Sequence, residues 1–163
     1  MNDKHFFICG DKFLSKKTCD SLITYFKKNQ QRKEFHRDNS TFFVRINNKI
    51  RFFLLKRKIK NLMEKYTKEK VLIDEMQIVE WPENSEMIEH YDIKNNDFCA
   101  VIIYLNETFS GGETIFNLYQ KSMVVPVTGR FVLFSNRNIL HSVNQVSHGK
   151  RYTLACYTTL TRI

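Results

Sequence analysis

Apolar residues recur with the period of a helix over the first seventy positions and with the period of a strand thereafter. Cys19, Leu22, Ile23 and Phe26 fall at i, i+3, i+4 and i+7, which predicts one buried stripe of an amphipathic helix. Ser15 stands where an N-cap belongs, and Lys27 and Lys28 fall in the last turn, where they complement the helix dipole. Phe52, Leu55, Ile59, Leu62, Met63 and Tyr66 form a second stripe, broadened by Phe53 and Leu54 and preceded by Asn47-Asn48 as the expected cap. Arg51, Lys56, Arg57, Lys58 and Lys60 take its outer face. Residues 5–9 and 41–46 read as short strands, and 29–39 as loop.

After Lys70, short β-branched and aromatic runs alternate with turns: 73–81, 87–92, 98–106, 113–116, 121–125, 130–134, 141–146 and 151–158. Strands at this spacing make a sandwich or barrel. Helices first and strands afterwards predict an α+β chain whose helices pack on one face of an antiparallel core. No repeat or low-complexity linker divides it. The expectation is a single domain, 1–163, with a helical scaffold over 1–70 and the core over 71–163.

Charge sharpens this division. Residues 1–70 hold 19 Lys/Arg against 7 Asp/Glu, a net +12, and residues 71–163 hold 7 against 10, a net −3. A basic half attracts anions, but no nucleic-acid motif accompanies it, and a solvated lysine-rich helix face explains it as well. The four cysteines show neither a Cys-x-x-Cys pair nor finger spacing, which fits reduced, mostly buried thiols. No apolar run precedes a cleavage-like site, and none approaches the roughly 18 residues that span a bilayer. A cytoplasmic protein without membrane attachment is expected.

The candidate chemistry lies in the strand half. His90 and Asp92, separated by Tyr91, share a face of a strand by period two. With His141 they would make a two-histidine, one-carboxylate face with open positions, a set that suits non-haem Fe(II) oxygenases. A His-x-Asp pair standing alone is common by chance.

The residues around it change its weight. Gln77, Trp81, His90-x-Asp92, Tyr104-Leu105-Asn106, Gly111-Gly112-Glu113-Thr114, Pro126, Gly129, Phe134, His141-Ser142-Val143, Val146, Gly149 and Arg151 occur in order. This set resembles the 2-oxoglutarate- and Fe(II)-dependent oxygenases, specifically the prolyl 4-hydroxylase-like branch, across residues 77–157. The resemblance implies a double-stranded β-helix, a jelly-roll with the metal at one mouth. It implies Fe(II) held by His90, Asp92 and His141, with O2 and 2-oxoglutarate completing the site and ascorbate rescuing oxidised iron. Arg151 would bind the far carboxylate of 2-oxoglutarate, because a guanidinium pairs with carboxylates and stays charged when partly buried. Tyr104 would donate its hydroxyl to the same carboxylate, and Thr153 is a second neutral donor or a core residue.

Further positions are structural or peripheral in this reading. His141 and Arg151 flank a turn at Ser147-His148-Gly149, which predicts neighbouring antiparallel strands. Arg151, Thr153, Ala155 and Tyr157 would share one face, and Ala100, Ile102 and Tyr104 another. Trp81 stands where the family usually has tyrosine; it and Tyr157 would wall the substrate pocket. Gly111-Gly112 would serve a turn needing positive φ. His5, His36 and His148 lack partners at ligand spacing.

The activity implied is hydroxylation of a C–H bond, with succinate and CO2 as co-products. The nearest motifs favour a prolyl residue of a peptide or protein. A free amino acid, a small metabolite or methylated nucleic acid are the other substrates, although the arginine-rich C-terminal signature of nucleic-acid demethylases has no counterpart here. A catalytically silent jelly-roll binding module is the non-enzymatic alternative. Substrate choice would sit in the segments 29–39, 83–86 and 93–97.

Overall fold

The computed structural model describes residues 5–35, 41–47, 50, 52–92, 97–135 and 137–161. Along these the chain runs β1 (Phe7–Gly10), α1 (Lys16–Lys28), β2 (Glu34–Phe35), β3 (Phe42–Arg45), α2 (Phe53–Thr67) and β4 (Val71–Trp81). It continues through β5 (Met87–His90), β6 (Asp97–Tyr104), β7 (Ser110–Gly111), β8 (Thr114–Asn117) and β9 (Lys121–Val124). It ends with β10 (Phe131–Phe134), β11 (Leu140–Val143), β12 (Val146–His148) and β13 (Arg151–Leu160).

The helices follow from their ends and stripes. Ser15 Oγ accepts the Thr18 N–H at 3.2 Å, the expected N-cap. At the other end of α1, Asn29 Nδ2 donates to the Tyr25 carbonyl at 2.8 Å. Cys19, Leu22, Tyr25 and Phe26 are its buried residues. The α2 helix departs from expectation. It starts at Phe53 with Phe52 at the cap position and no side-chain cap bond, so Asn47 does not cap it; Asn48 lies outside the described residues. Ile59, Met63 and Thr67 are buried, whereas Phe53 and Leu54 are 59% and 74% exposed and do not broaden the stripe. At the far end Lys68 adopts a left-handed conformation and its N–H bonds the Glu64 carbonyl.

The strands form a major sheet of order β1-β10-β6-β13-β4-β3-β2, a minor sheet of order β5-β11-β8-β9, and a β12-β7 pair between them. Period two sorts the major sheet's side chains into two cores. Ile78 (β4), Cys99, Val101 and Ile103 (β6), Leu133 (β10) and Tyr152, Leu154 and Cys156 (β13) pack against α1 and α2 on one side. Ala100 and Tyr104 (β6), Val132 and Phe134 (β10) and Ala155 (β13) face the minor sheet on the other, meeting Phe116 and Val143. This is the expected α+β architecture, a double-stranded β-helix backed on one face by helices, although the sheets do not close into a continuous barrel. Among the described residues, no helix is long and apolar enough to cross a membrane.

Two strand assignments need correction. The run 141–146 divides: β11 belongs to the minor sheet, and β12 pairs with β7. His141 and Arg151 therefore lie on facing sheets and not on neighbouring strands, because the chain changes sheet between them. The segment 29–39 also carries a 3-10 turn, Gln30–Arg32, and β2 before leaving the described residues at 36.

The Gly111 turn does need positive φ. Gly111 has φ +72°, and a Cβ there would lie 2.1 Å from the Gln145 carbonyl oxygen. Gly111→Ala is expected to lower stability by roughly 1–3 kcal/mol, read as a lower melting midpoint.

Candidate active site

His90 closes β5 and lies opposite His141 of β11 in the ladder, with the imidazole centroids 4.4 Å apart. Asp92 has already left the strand, yet the two-residue spacing still brings its carboxylate to the same place. Its oxygens lie 3.4 Å from His90 Nε2 and 3.5 Å from His141 Nε2. One potential ligand atom from each of the three falls within 4.8 Å of the others; no other such group occurs among the described residues.

The second ring nitrogens fix the tautomers. His90 Nδ1–H donates to the Ile88 carbonyl at 2.9 Å, and His141 Nδ1–H to the Ile139 carbonyl at 3.2 Å. A carbonyl can only accept, so in the neutral imidazole Nε2 carries the lone pair. Burial pushes His141 below the ordinary histidine range, opposed by the Asp92 charge and reinforced by His90. His141 is also held between rings, with the Phe116 centroid stacked 5.7 Å away and that of Phe134 edge-on at 4.9 Å. Imidazole lone pairs and a carboxylate converging in one place repel unless a cation lies among them. This donor set fits a divalent transition metal.

A second feature lies in the same interior. Arg151 is 1% exposed on β13, directly across from Trp81 of β4. Its guanidinium carbon sits 4.7 Å from the Trp81 ring centroid and 5.4 Å from that of Tyr104. Arg151 Nη2 donates to Thr114 Oγ1 at 3.2 Å, but its buried Nε and Nη1 have no hydrogen-bond partner among the described residues. Burial lowers the pKa of Arg151, with the nearby Tyr104 opposing. An uncompensated buried charge costs several kcal/mol, so this arrangement fits a site for an anion. Tyr104 is fully buried and its pKa is raised by burial, which keeps its hydroxyl a donor.

Thr114 was not singled out by sequence as a site residue, yet it links the two halves of this interior. Its Oγ1 lies 2.8 Å from Tyr104 Oη as well as taking the Arg151 bond. On β8 it is opposite Val143, while Phe116 is opposite His141. The Arg151 anchor thus stands one two-residue strand period, about 7 Å, from the level of the metal face. Only its place in the Gly-Gly-Glu-Thr run could have flagged it.

The remaining candidates are less decisive. Thr153 is buried on the Arg151 face of β13, opposite Tyr104. Trp81 is 8% exposed in the core between the sheets, and its buried Nε1 has no hydrogen-bond partner among the described residues. Tyr157 packs on both inner cores. His148 is exposed, 3.8 Å from Glu83, and His5 is exposed; His36 lies outside the described residues.

Solved prolyl hydroxylases share this fold at low sequence identity. A Pseudomonas putida prolyl-4-hydroxylase superposes with TM-score 0.80 at 16% identity, covering 98% of this chain and 95% of the other. The viral collagen prolyl hydroxylase of Paramecium Bursaria Chlorella virus-1, as its 2-oxoglutarate complex, gives 0.77 at 19% identity over 96% and 97%. A prolyl hydroxylase in complex with a hypoxia inducible factor peptide fragment, from Trichoplax adhaerens, gives 0.76 at 15% identity over 94% and 83%. No curated protein matches the sequence. The family model for the 2OG-Fe(II) oxygenase superfamily matches residues 76–159, just over half of the 163. The match spans His90, Asp92, His141 and Arg151, and the chain belongs to this superfamily, the dioxygenases that use Fe(II), 2-oxoglutarate and O2.

Proposed function

We propose that the protein hydroxylates a prolyl residue of a peptide or protein, in one catalytic unit formed by residues 1–163. His90 and His141 hold Fe(II) through Nε2, and Asp92 through its carboxylate. Arg151 takes the far carboxylate of 2-oxoglutarate, helped by the Tyr104 hydroxyl and by Thr153. Trp81 and Tyr157 wall the substrate side. The observation that carries the reading is the pairing of a two-histidine, one-carboxylate face with a buried, under-bonded arginine.

The bound metal and co-substrate supply an oxidant for C–H hydroxylation, with succinate and CO2 as co-products and ascorbate as rescuing reductant. The chain's own part is binding and orientation. Thr114 accepts from Arg151, so its hydrogen is available to the Tyr104 oxygen. Tyr104 then points its own hydrogen toward a carboxylate. Phe116 and Phe134 hold the His141 ring and exclude water around it.

Thr114→Val leaves the Arg151 Nη2–H and the Tyr104 hydroxyl without this partner. It is expected to weaken 2-oxoglutarate binding about tenfold, from roughly 1–3 kcal/mol per unsatisfied group, while Thr114→Ser retains wild-type binding. Calorimetric titration of the Fe(II) enzyme without O2 reads both.

A peptide is favoured because the solved structures of similar fold include a prolyl hydroxylase holding a peptide fragment. Charge placement agrees. The lysine-rich helices cover the face of the major sheet opposite the metal face, so they do not line a nucleic-acid path to His90 and His141. Succinate release measured with proline-containing peptides, free proline and methylated DNA tests this reading. Stimulation by peptide is expected; stimulation by DNA or free proline alone contradicts it.

A further inference from the structure

Three buried side-chain nitrogens have no hydrogen-bond partner among the described residues: Arg151 Nε, Arg151 Nη1 and Trp81 Nε1. The first two belong to the anion anchor, and the third lies beside it. Trp81 closes β4 directly opposite Arg151 in the ladder, and the guanidinium carbon sits 4.7 Å from its ring centroid. Nε1 is an atom of that ring, so both sets of open donors share one corner of the interior.

The core around the indole offers it no acceptor. Trp81 belongs to a cluster with Phe43, Val79, Val143, Val146 and Ala155, all apolar side chains. A buried N–H left unsatisfied is costly, and an indole N–H can only donate. The partner it fits is an acceptor brought in by a ligand. A carboxylate has about four lone-pair sites, and one edge of a guanidinium takes two of them in a bidentate pair. The Tyr104 hydroxyl, whose ring lies 5.4 Å from the same guanidinium carbon, takes a third. One site remains.

We propose that the Trp81 indole N–H is the fourth donor to the far carboxylate of 2-oxoglutarate, and so helps to select a dicarboxylic keto acid. The inference rests on the assignment of that carboxylate to Arg151. The ring face covers the guanidinium and still walls the pocket, while the ring edge donates. A keto acid ending in a methyl group leaves this N–H and the Arg151 donors unpaired, which is what makes a polar site reject it.

Trp81 is the single tryptophan of the chain, so its indole gives one N–H cross-peak in a proton–nitrogen correlation spectrum. The full chain is loaded with Zn(II), a diamagnetic ion suited to the same donors. It is titrated with 2-oxoglutarate, or with 2-oxopentanoate, which keeps the keto-acid end and carries a methyl group in place of the far carboxylate. The cross-peak is expected to move downfield with 2-oxoglutarate and to stay near its ligand-free position with 2-oxopentanoate. Trp81→Phe keeps a ring over Arg151 and removes the donor, with the melting midpoint as folding control. By calorimetry its dissociation constant for 2-oxoglutarate should rise about tenfold or more, and that for 2-oxopentanoate should change less than about twofold. The inference fails if 2-oxoglutarate binds without moving the cross-peak, or if both keto acids move it equally. It fails as well if Trp81→Phe binds 2-oxoglutarate like the wild type, or weakens both keto acids alike. Those outcomes leave the Arg151 assignment standing. A wild type that binds no 2-oxoglutarate, or binds both keto acids equally, overturns that assignment and the inference together.

Discussion

Arg151→Met is expected to weaken 2-oxoglutarate binding severely while leaving Fe(II) binding intact. The guanidinium is buried beneath Trp81 and Tyr104 and has two buried donors without partners among the described residues. Truncating one side of a buried, hydrogen-bonded charge pair costs roughly 2–5 kcal/mol. The dissociation constant for 2-oxoglutarate should rise by about a hundredfold or more. Stability should hold or improve, because a methionine replaces a buried cation that has no salt-bridge partner among the described residues. Arg151→Lys should recover only part of the affinity: an ammonium cannot reproduce the planar fork that reaches Thr114 and a ligand together. Binding within about threefold of wild type in Arg151→Met would place the co-substrate elsewhere.

His141→Ala carries the second large effect. Its ring is the most buried member of the metal face and is fixed by Phe116, Phe134 and the Ile139 carbonyl. Removing it leaves one histidine and one carboxylate. Fe(II) affinity should fall by more than about a hundredfold, since even the outer partners of metal ligands are worth about 10–100-fold. Succinate production should vanish with it. The cavity left between two phenylalanines also costs stability, so the melting midpoint of the metal-free protein should fall too. Asp92→Ala separates these effects, because Asp92 lies outside the packed aromatic cluster. It should lose iron with little change in the metal-free midpoint.

How far the sequence alone discloses this site depends on how local each part is. His90 and Asp92 are legible because a two-residue spacing survives even though the strand ends at His90. The face shared by Arg151, Thr153, Ala155 and Tyr157 is legible for the same reason: period two holds along β13 from Arg151 to Tyr157, before the register shifts at Thr158. What fails is inference across sheets. The short separation of His141 and Arg151 suggests a hairpin, but the chain leaves the minor sheet at Val143, pairs β12 with β7, and enters the major sheet at Arg151. Thr114 is hidden for a related reason, since its importance comes from Tyr104 and Arg151 meeting it from other strands. Phe53 and Leu54 show the limit of periodicity. Apolar residues near a helix start look like part of the stripe, and only the packing against the sheet reveals that they face outward.

Anaerobic titration of the Fe(II) protein with 2-oxoglutarate, followed by visible absorption, tests the central assignment most directly. Chelation of the keto-acid end at the metal gives a weak charge-transfer band. The band should appear in the wild type, be absent in His141→Ala, and require far more 2-oxoglutarate in Arg151→Met. A wild type without the band, or a band unchanged in His141→Ala, would contradict the assignment of iron to His90, Asp92 and His141.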